Sequence, residues 1–283
     1  MTTLEFIDAT TGYFAKNGVE SPRLTAELML AEVLKKKRLQ LYMEFEKVVP
    51  EEALATLRPL ARRRAQGEPL QYVQGFAEFA GARFAVTPDV LIPRPETEIL
   101  LEAVTKALQA DAESDAAAPL ADIGTGSGIL SVSLARRFPA RPVHAVDISP
   151  AALAVARKNG EGLPNLAFHE GSLLAPLPSL PYRALVANLP YIPSAVIPTL
   201  TREVRQEPHL ALDGGADGLD LVRALLAAVK ERNAAPETRI AMVGLEICEG
   251  QAEETARLLG EAGYPGVEQI KDLRGVPRIL IGK

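Results

Sequence analysis

The sequence predicts an α/β fold: a doubly wound, mostly parallel sheet with an antiparallel hairpin at one edge, preceded by a small helical bundle domain. Three observations predict it. From Leu120 onward the chain alternates strand, turn and helix. The first of those turns is rich in glycine. Residues 2–66 read as helix throughout, with no strand signal.

Taken in chain order, Ser21-Pro22 reads as an N-cap followed by proline at the first helical position, and Leu24, Leu28, Ala31, Val33 and Leu34 keep an apolar stripe. A second start at Pro50-Glu51-Glu52 leads a stripe of Leu54, Leu57 and Leu60 that ends near Gly67. Residues 76–92 alternate aromatic or apolar with small residues around Gly81, which predicts a β-hairpin joining two units. In LIPRPETE, residues 91–98, two prolines exclude helix at the start, and Glu96 opens a helix through Leu108. Asp111 to Pro119, DAESDAAAP, reads as an exposed linker. Strand–helix units follow: LADIG with a helix from Ser127, PVHAVDI with a helix from Pro150, then YRALVANLP. Further strands are expected at Arg239–Leu245, Gly266–Ile270 and Arg278–Ile281, the last two turning around Arg274-Gly275 after a helix over 251–263. The domains expected are 1–75, helical; 76–92, a hairpin linker; and 93–283, the α/β domain.

Bulk properties narrow the function. At 283 residues, two packed units are the natural expectation. No apolar run reaches the roughly 18 residues of a membrane span. MTTLEFIDATTGYF shows no basic segment followed by an apolar one, so no secretory signal is expected. A single cysteine, Cys248, allows no internal disulfide and fits a reducing cytoplasm; with no histidine near it in sequence, it reads as an inert thiol at a strand end. The net charge of −5 argues against direct nucleic-acid binding. Residues 1–75 carry 11 basic against 10 acidic side chains, whereas the remainder has a net charge of −6. The clusters Lys35-Lys36-Lys37-Arg38 and Arg62-Arg63-Arg64 read as solvated helix ends or as a surface for an acidic partner.

The chemistry concentrates in three places. Asp122-Ile123-Gly124-Thr125-Gly126-Ser127-Gly128 lies where a strand gives way to a helix, the position at which an open α/β sheet binds its ligand. Asp147 ends the next strand, where a carboxylate can accept both hydroxyls of a ribose. Together they imply a nucleoside. A nicotinamide dinucleotide would ask for glycine at position 129, which is isoleucine, and Asp122 would repel its phosphates. S-adenosylmethionine, which carries a cationic sulfonium and no phosphate, fits better. The third place is Asn188-Leu189-Pro190-Tyr191 after the strand ALVA. The Asn188 side-chain oxygen and the Leu189 carbonyl can accept both hydrogens of one NH₂ group, Pro190 stiffens the turn, and the Tyr191 ring can cover a planar group. Arg94, Glu96 and Glu98 are candidates for shaping a substrate pocket, or equally a cap for the following helix.

These segments, with GEPLQYVQG (67–75), LIPRPETE, AVD (145–147), NLPYIP (188–193), REVRQEPHLALDGGADGLD (202–220) and RGVPRILIG (274–282), make the chain resemble the HemK/PrmC family of release factor glutamine methyltransferases over essentially its whole length. The resemblance implies a five-helix N-terminal domain that contacts the release factor, a hairpin linker and a class I methyltransferase domain. It also implies transfer from S-adenosylmethionine, leaving S-adenosylhomocysteine, to the glutamine of the Gly-Gly-Gln tip of class I release factors. The enzyme would then act in the cytoplasm as a monomer, with no membrane or direct nucleic-acid partner. Two positions depart from the family pattern. Leu189 stands where a proline is usual, and Ser172, followed by Leu173, stands where an acidic residue often meets the adenine.

Three alternatives remain from the residues alone: methylation of an exocyclic amine in nucleic acid, methylation of a glutamine in another translation protein, and a docking protein without activity. No metal is expected, because His144, His169 and His209 have no ligand-like spacing.

Overall fold

The computed structural model describes residues 1–110 and 117–283, so most of the expected linker 111–119 lies outside the described residues. The chain divides into two compact units, one of residues 1–76 with 201–206, the other of residues 77–200 with 207–283.

In the first unit, among the described residues, five helices follow one another: α1 (Thr3–Lys16), α2 (Pro22–Val33), α3 (Arg38–Tyr42), α4 (Glu51–Ala65) and α5 (Leu70–Gln74). Their core gathers Phe6, Ile7, Phe14, Met29, Leu30, Leu41, Leu54 and Leu57. Two local expectations need correction. Pro22 does open α2, but Ser21 is left-handed (φ 46°) and its side chain makes no capping bond, since a cap needs an extended backbone to reach the first amides. The buried face of α2 is built on Ala26, Met29 and Leu30, while Leu24 is exposed. Packing against α1 and α4 turns Thr25 and Glu27 inward along with Ala26, Met29, Leu30 and Ala31.

The basic clusters are largely paired within this unit. Arg64, buried at the end of α4, bonds Glu203 at 2.6 Å and the Glu68 carbonyl at 3.0 Å. Arg63 pairs with Glu68, and Lys36 with Glu44. Residues 201–206 thus belong with the helices although they lie among the residues of the second unit in sequence. Arg202 reinforces this by donating to the Ala65 carbonyl at 3.2 Å.

The second unit begins with the hairpin β1 (Phe76–Phe79) and β2 (Ala82–Ala85), turned by Ala80 and Gly81, both at positive φ as a tight two-residue turn demands. Phe79 and Phe84 pack edge to face and join the same apolar cluster as the helix that follows, so the hairpin is part of this unit's core. Then come α6 (Pro95–Ala110), β3 (Leu120–Ile123), α7 (Ile129–Arg137), β4 (Val143–Asp147), α8 (Pro150–Asn159), β5 (Leu166–Glu170) and β6 (Ala184–Ala187). The chain ends with α9 (Asp220–Arg232), β7 (Val243–Glu246), α10 (Ala252–Glu261), β8 (Val267–Lys271) and β9 (Pro277–Gly282). The expected strand Arg239–Leu245 starts later, at Val243; Ile240 makes only an isolated bridge to Tyr182.

The sheet runs β5-β4-β3-β6-β7-β9-β8, parallel except where β9 pairs antiparallel with β7 and β8. Every β6 residue is buried, and they alternate between two cores: Leu185 and Ala187 face α9 and α10, Ala184 and Val186 face α6 and α7. The doubly wound expectation is met. After β3 the chain winds out through β4 to β5, then returns to β6 on the other side. That reversal opens a crevice at the carboxyl ends of β3, β4 and β6.

Candidate active site

A cavity of about 210 Å³ lies in that crevice. Asp122, Gly124, Thr125, Gly126, Ser127, Asp147, Ser172, Leu173, Asn188, Leu189, Pro190 and Arg94 line it. Gly128 sits just behind as the left-handed residue before α7. Glu96 and Tyr191 are not on the cavity wall.

Asp122, buried at the third position of β3, holds the turn from within. Its Oδ2 accepts from the Thr125 hydroxyl at 2.6 Å and the Ser131 amide at 2.9 Å. Its Oδ1 is buried without a hydrogen-bond partner among the described residues. Burial pushes this carboxyl up to about 6, against the pull of Thr125 and Ser131. A buried acceptor left open at a cavity wall is suited to a ligand that brings a donor or a positive charge.

Asp147 ends β4 and cross-braces the turn: Oδ2 accepts from the Gly126 amide at 2.8 Å and Oδ1 from the Ser149 amide at 2.9 Å. Burial raises its pKa, and the Ser149, Gly126 and Ile148 amides oppose the rise. Each oxygen keeps a further lone pair for a ligand hydroxyl. Past β5, the Gly171 amide bonds the Asp147 carbonyl at 3.0 Å, and Leu173 takes a left-handed φ of 48° that aims the Ser172-Leu173 turn at the cavity.

On the opposite wall, Asn188 emerges from β6. Its Nδ2 donates to the Thr97 hydroxyl at 3.1 Å, and its Oδ1 accepts nothing among the described residues. The Leu189 carbonyl accepts no backbone hydrogen bond there either. The Leu189 side chain is buried, and its Cδ2 lies 3.0 Å from where a Cβ on Gly124 would stand, so the two walls touch. Tyr191 turns its hydroxyl inward to Glu246 Oε1 at 3.4 Å, and burial pushes its phenol well above the ordinary value.

The segment 213–218 holds this wall from behind. Ile192 and Leu212, Gly214 and Ile192, and Ser194 and Gly215 pair through backbone bonds of 3.0, 2.9 and 2.9 Å. A Cβ on Gly214 would stand 2.6 Å from the Pro190 carbonyl oxygen, and one on Gly218 2.1 Å from that of Tyr191. Gln251, at the start of α10, donates to the Tyr191 carbonyl at 3.1 Å and the Asp217 carbonyl at 3.2 Å. The glycines of DGGADG therefore let two backbones meet.

LIPRPETE and the EPHLAL segment meet at one carboxylate. Glu207, buried, accepts from the Ile92 amide at 2.9 Å and pairs with Arg94. Glu98 turns away and accepts the Ala80 amide at 2.9 Å, tying the hairpin turn to α6. Thr97, Glu207, Glu246 and Gln251 were not singled out by sequence. For Glu246 a signal existed: it is the lone charge in the buried run Met242 to Ile247.

The PrmC N-terminal domain family matches residues 5–75, and a methyltransferase domain family matches residues 120–207. The release factor glutamine methyltransferase of Geobacter sulfurreducens is 39% identical over 284 residues, which cover 100% of this chain and 96% of that one. Its counterpart from Moorella thermoacetica is 45% identical over 229 residues, 80% of each chain. Among solved structures, the hMettl16 catalytic domain in complex with MAT2A 3'UTR hairpin 6 aligns with a TM-score of 0.56 at 14% identity, over 79% of this chain and 81% of that one. A methyltransferase from Pyrococcus furiosus aligns at 0.51 and 16%, over 72% and 89%. Those two share the fold. With the glycine turn, the two acidic strand ends and full-length relatives in agreement, the chain belongs to the release factor glutamine methyltransferase family and is a methyltransferase.

Proposed function

We propose that this enzyme methylates the side-chain amide nitrogen, N5, of the glutamine in the Gly-Gly-Gln tip of class I peptide chain release factors, with S-adenosylmethionine as the donor. The observation that carries this reading is the pairing of two open acceptors, Asn188 Oδ1 and the Leu189 carbonyl, on residues that line the same cavity as Asp122 and Asp147.

The residues suit that donor. The orphaned Asp122 Oδ1 offers negative charge, Asp147 keeps lone pairs for ribose hydroxyls, and the Gly124–Gly128 turn admits a ligand against the backbone. Ser172 supplies a hydroxyl and Leu173 an apolar surface for adenine. S-adenosylmethionine supplies, when bound, an electrophilic methyl on a cationic sulfonium.

An amide nitrogen is a weak nucleophile because its lone pair is delocalised into the carbonyl. Asn188 Oδ1 and the Leu189 carbonyl accept its two hydrogens, which fixes the plane of the NH₂ and turns one face toward the cavity. Acceptors on both hydrogens also favour the charge that builds on nitrogen during transfer. No strong base is needed, since a methylated amide nitrogen is acidic and releases its proton to water. Pro190 limits the freedom of the turn that carries both acceptors.

The helical unit of residues 1–76 and 201–206 is proposed to recognise the release factor, and the enzyme to work in the cytoplasm as a monomer, on translation termination. Incubation with labelled S-adenosylmethionine and release factor tests the reading. Label is expected in the Gly-Gly-Gln peptide and lost when its glutamine is replaced. Label elsewhere, or none, would overturn it.

A further inference from the structure

The acceptor role of Asn188 raises a question of polarity. A side-chain amide has nearly the same shape with its oxygen and nitrogen exchanged, so something must keep Oδ1 rather than Nδ2 facing the substrate. Thr97 alone cannot do this. A hydroxyl is both donor and acceptor, and it satisfies either orientation of Asn188 by rotating its hydrogen.

Glu246, at the end of β7 and 2% exposed, interacts with Thr97. Its Oε1 faces the Tyr191 hydroxyl at 3.4 Å, and its Oε2 is buried with no hydrogen-bond partner among the described residues. Thr97, Tyr191 and Asn188 all act on this carboxyl as hydrogen-bonding groups. A carboxylate so enclosed is costly unless its acceptor capacity is used.

We infer that Glu246 is the positioning residue that sets the polarity of the acceptor site: as an acceptor-only carboxylate it takes the Thr97 and Tyr191 hydroxyl hydrogens, leaving Thr97 Oγ1 only a lone pair for Asn188 Nδ2 and thereby holding Asn188 Oδ1 toward the substrate amide. The inference rests on the proposed reading of Asn188 as an acceptor, and it adds a residue that touches neither donor nor substrate. In the inferred relay hydrogen direction runs one way: Asn188 Nδ2 donates to Thr97 Oγ1 at 3.1 Å, and the Thr97 hydroxyl hydrogen is assigned to the carboxylate. The negative end of this relay also lies behind the nitrogen on which positive charge builds during transfer.

The relay needs the ionised form of Glu246. Burial pushes this carboxyl up to about 7; Glu96, facing it from α6, pushes the same way, while Thr97, Tyr191 and Asn188 hold it down. Tyr191 in turn faces Cys248 past the end of β7, Arg94 ahead of α6 and Arg278 of β9. Below about 7 the carboxyl gains a hydrogen and can donate, the direction of the Thr97 hydroxyl is no longer imposed, and Asn188 is free to flip.

Two readouts test this in the full-length protein. At saturating S-adenosylmethionine and release factor, the single-turnover rate of the parent should rise with pH through about 7 and level off above. Glu246→Gln, which keeps the shape but adds a donor, should lose on the order of ten- to a hundredfold in that rate and lose the pH step, with donor affinity and the KM for release factor little moved. Thr97→Val should behave alike, and Thr97→Ser should recover most of the loss. The second readout needs no substrate: the Asn188 side-chain NH₂ resonances, assigned by their disappearance in Asn188→Ala, should shift with pH around 7 in the parent and not in Glu246→Gln. A parent-like rate and pH profile in Glu246→Gln, or Asn188 resonances indifferent to pH in the parent, would overturn the inference. Absence of transfer by the parent with an intact Asn188 titration would instead count against the proposed substrate alone.

Discussion

Thr97 and Asn188 stand 91 positions apart in the chain and meet through one hydrogen bond, Asn188 Nδ2 to Thr97 Oγ1 at 3.1 Å. It joins the PETE turn that opens α6 to the first residue past β6, and Asn188 Oδ1 has no partner among the described residues. Asn188→Ala should therefore bind S-adenosylmethionine nearly as the parent does and lose on the order of a hundredfold or more in methyl transfer, because a lost hydrogen bond and a misdirected nucleophile combine. Calorimetry and single-turnover rates separate the two effects. A parent-like rate would remove Asn188 from the mechanism.

Gly218 supports the same wall from outside the cavity. Its φ is +81°, and a Cβ there would stand 2.1 Å from the Tyr191 carbonyl oxygen, whereas Gly250, at φ +87°, has open space. Gly250→Ala should cost about 1 kcal/mol of stability, the strain of a left-handed alanine. Gly218→Ala should cost clearly more and depress transfer as well, since Tyr191 must shift. Equal melting temperatures for the two variants would contradict this packing.

Glu207 ties two family-specific segments together through Arg94 and the Ile92 amide. Glu207→Ala leaves the Ile92 amide without its acceptor and Arg94, 30% exposed and reachable by water, without its carboxylate, and should destabilise the fold by about 1–3 kcal/mol. Denaturant unfolding measures the loss, and a change within experimental error would show the pair to be dispensable.

Asp122 is expected to make the binding of S-adenosylmethionine pH-dependent. With its carboxyl at about 6, it is charged above that pH and neutral below. Affinity for S-adenosylmethionine should be constant above about 7 and weaken as the pH falls through 6, and Asp122→Asn should bind weakly with that step removed. The effect on folding has the opposite sense. Because the folded value lies above the ordinary 3.8, ionisation of Asp122 without ligand costs stability as the pH rises from about 4 to 6. Titration calorimetry across this range checks the binding step, and a flat affinity would show that Asp122 does not face the cationic ligand.

Much of the site was legible because its local chemistry is written in contiguous residues. DIGTGSG, VHAVD and NLPY each place candidate site residues within a few positions of a strand end, and strand–turn–helix alternation fixes where such ends gather. What was not legible depends on contacts across the fold. Thr97 looks like a helix-start residue until β6 brings Asn188 to it. Glu207 and Gln251 read as surface polars until they are found buried against backbone amides and carbonyls. Residues 201–206 lie between β6 and β7 in sequence, yet Arg64 and Ala65 draw them to the helical unit. On α2 the expected stripe holds at Ala31, Val33 and Leu34, which meet the core, and fails at Leu24, which is exposed.

The most direct test is fragment-ion mass spectrometry of release factor after one turnover with excess enzyme and S-adenosylmethionine. The predicted result is a single methyl on the side-chain nitrogen of the Gly-Gly-Gln glutamine, present with the parent and absent over the same interval with Asn188→Ala. A methyl on any other atom of the release factor, or the same yield at that nitrogen with Asn188→Ala, would contradict it.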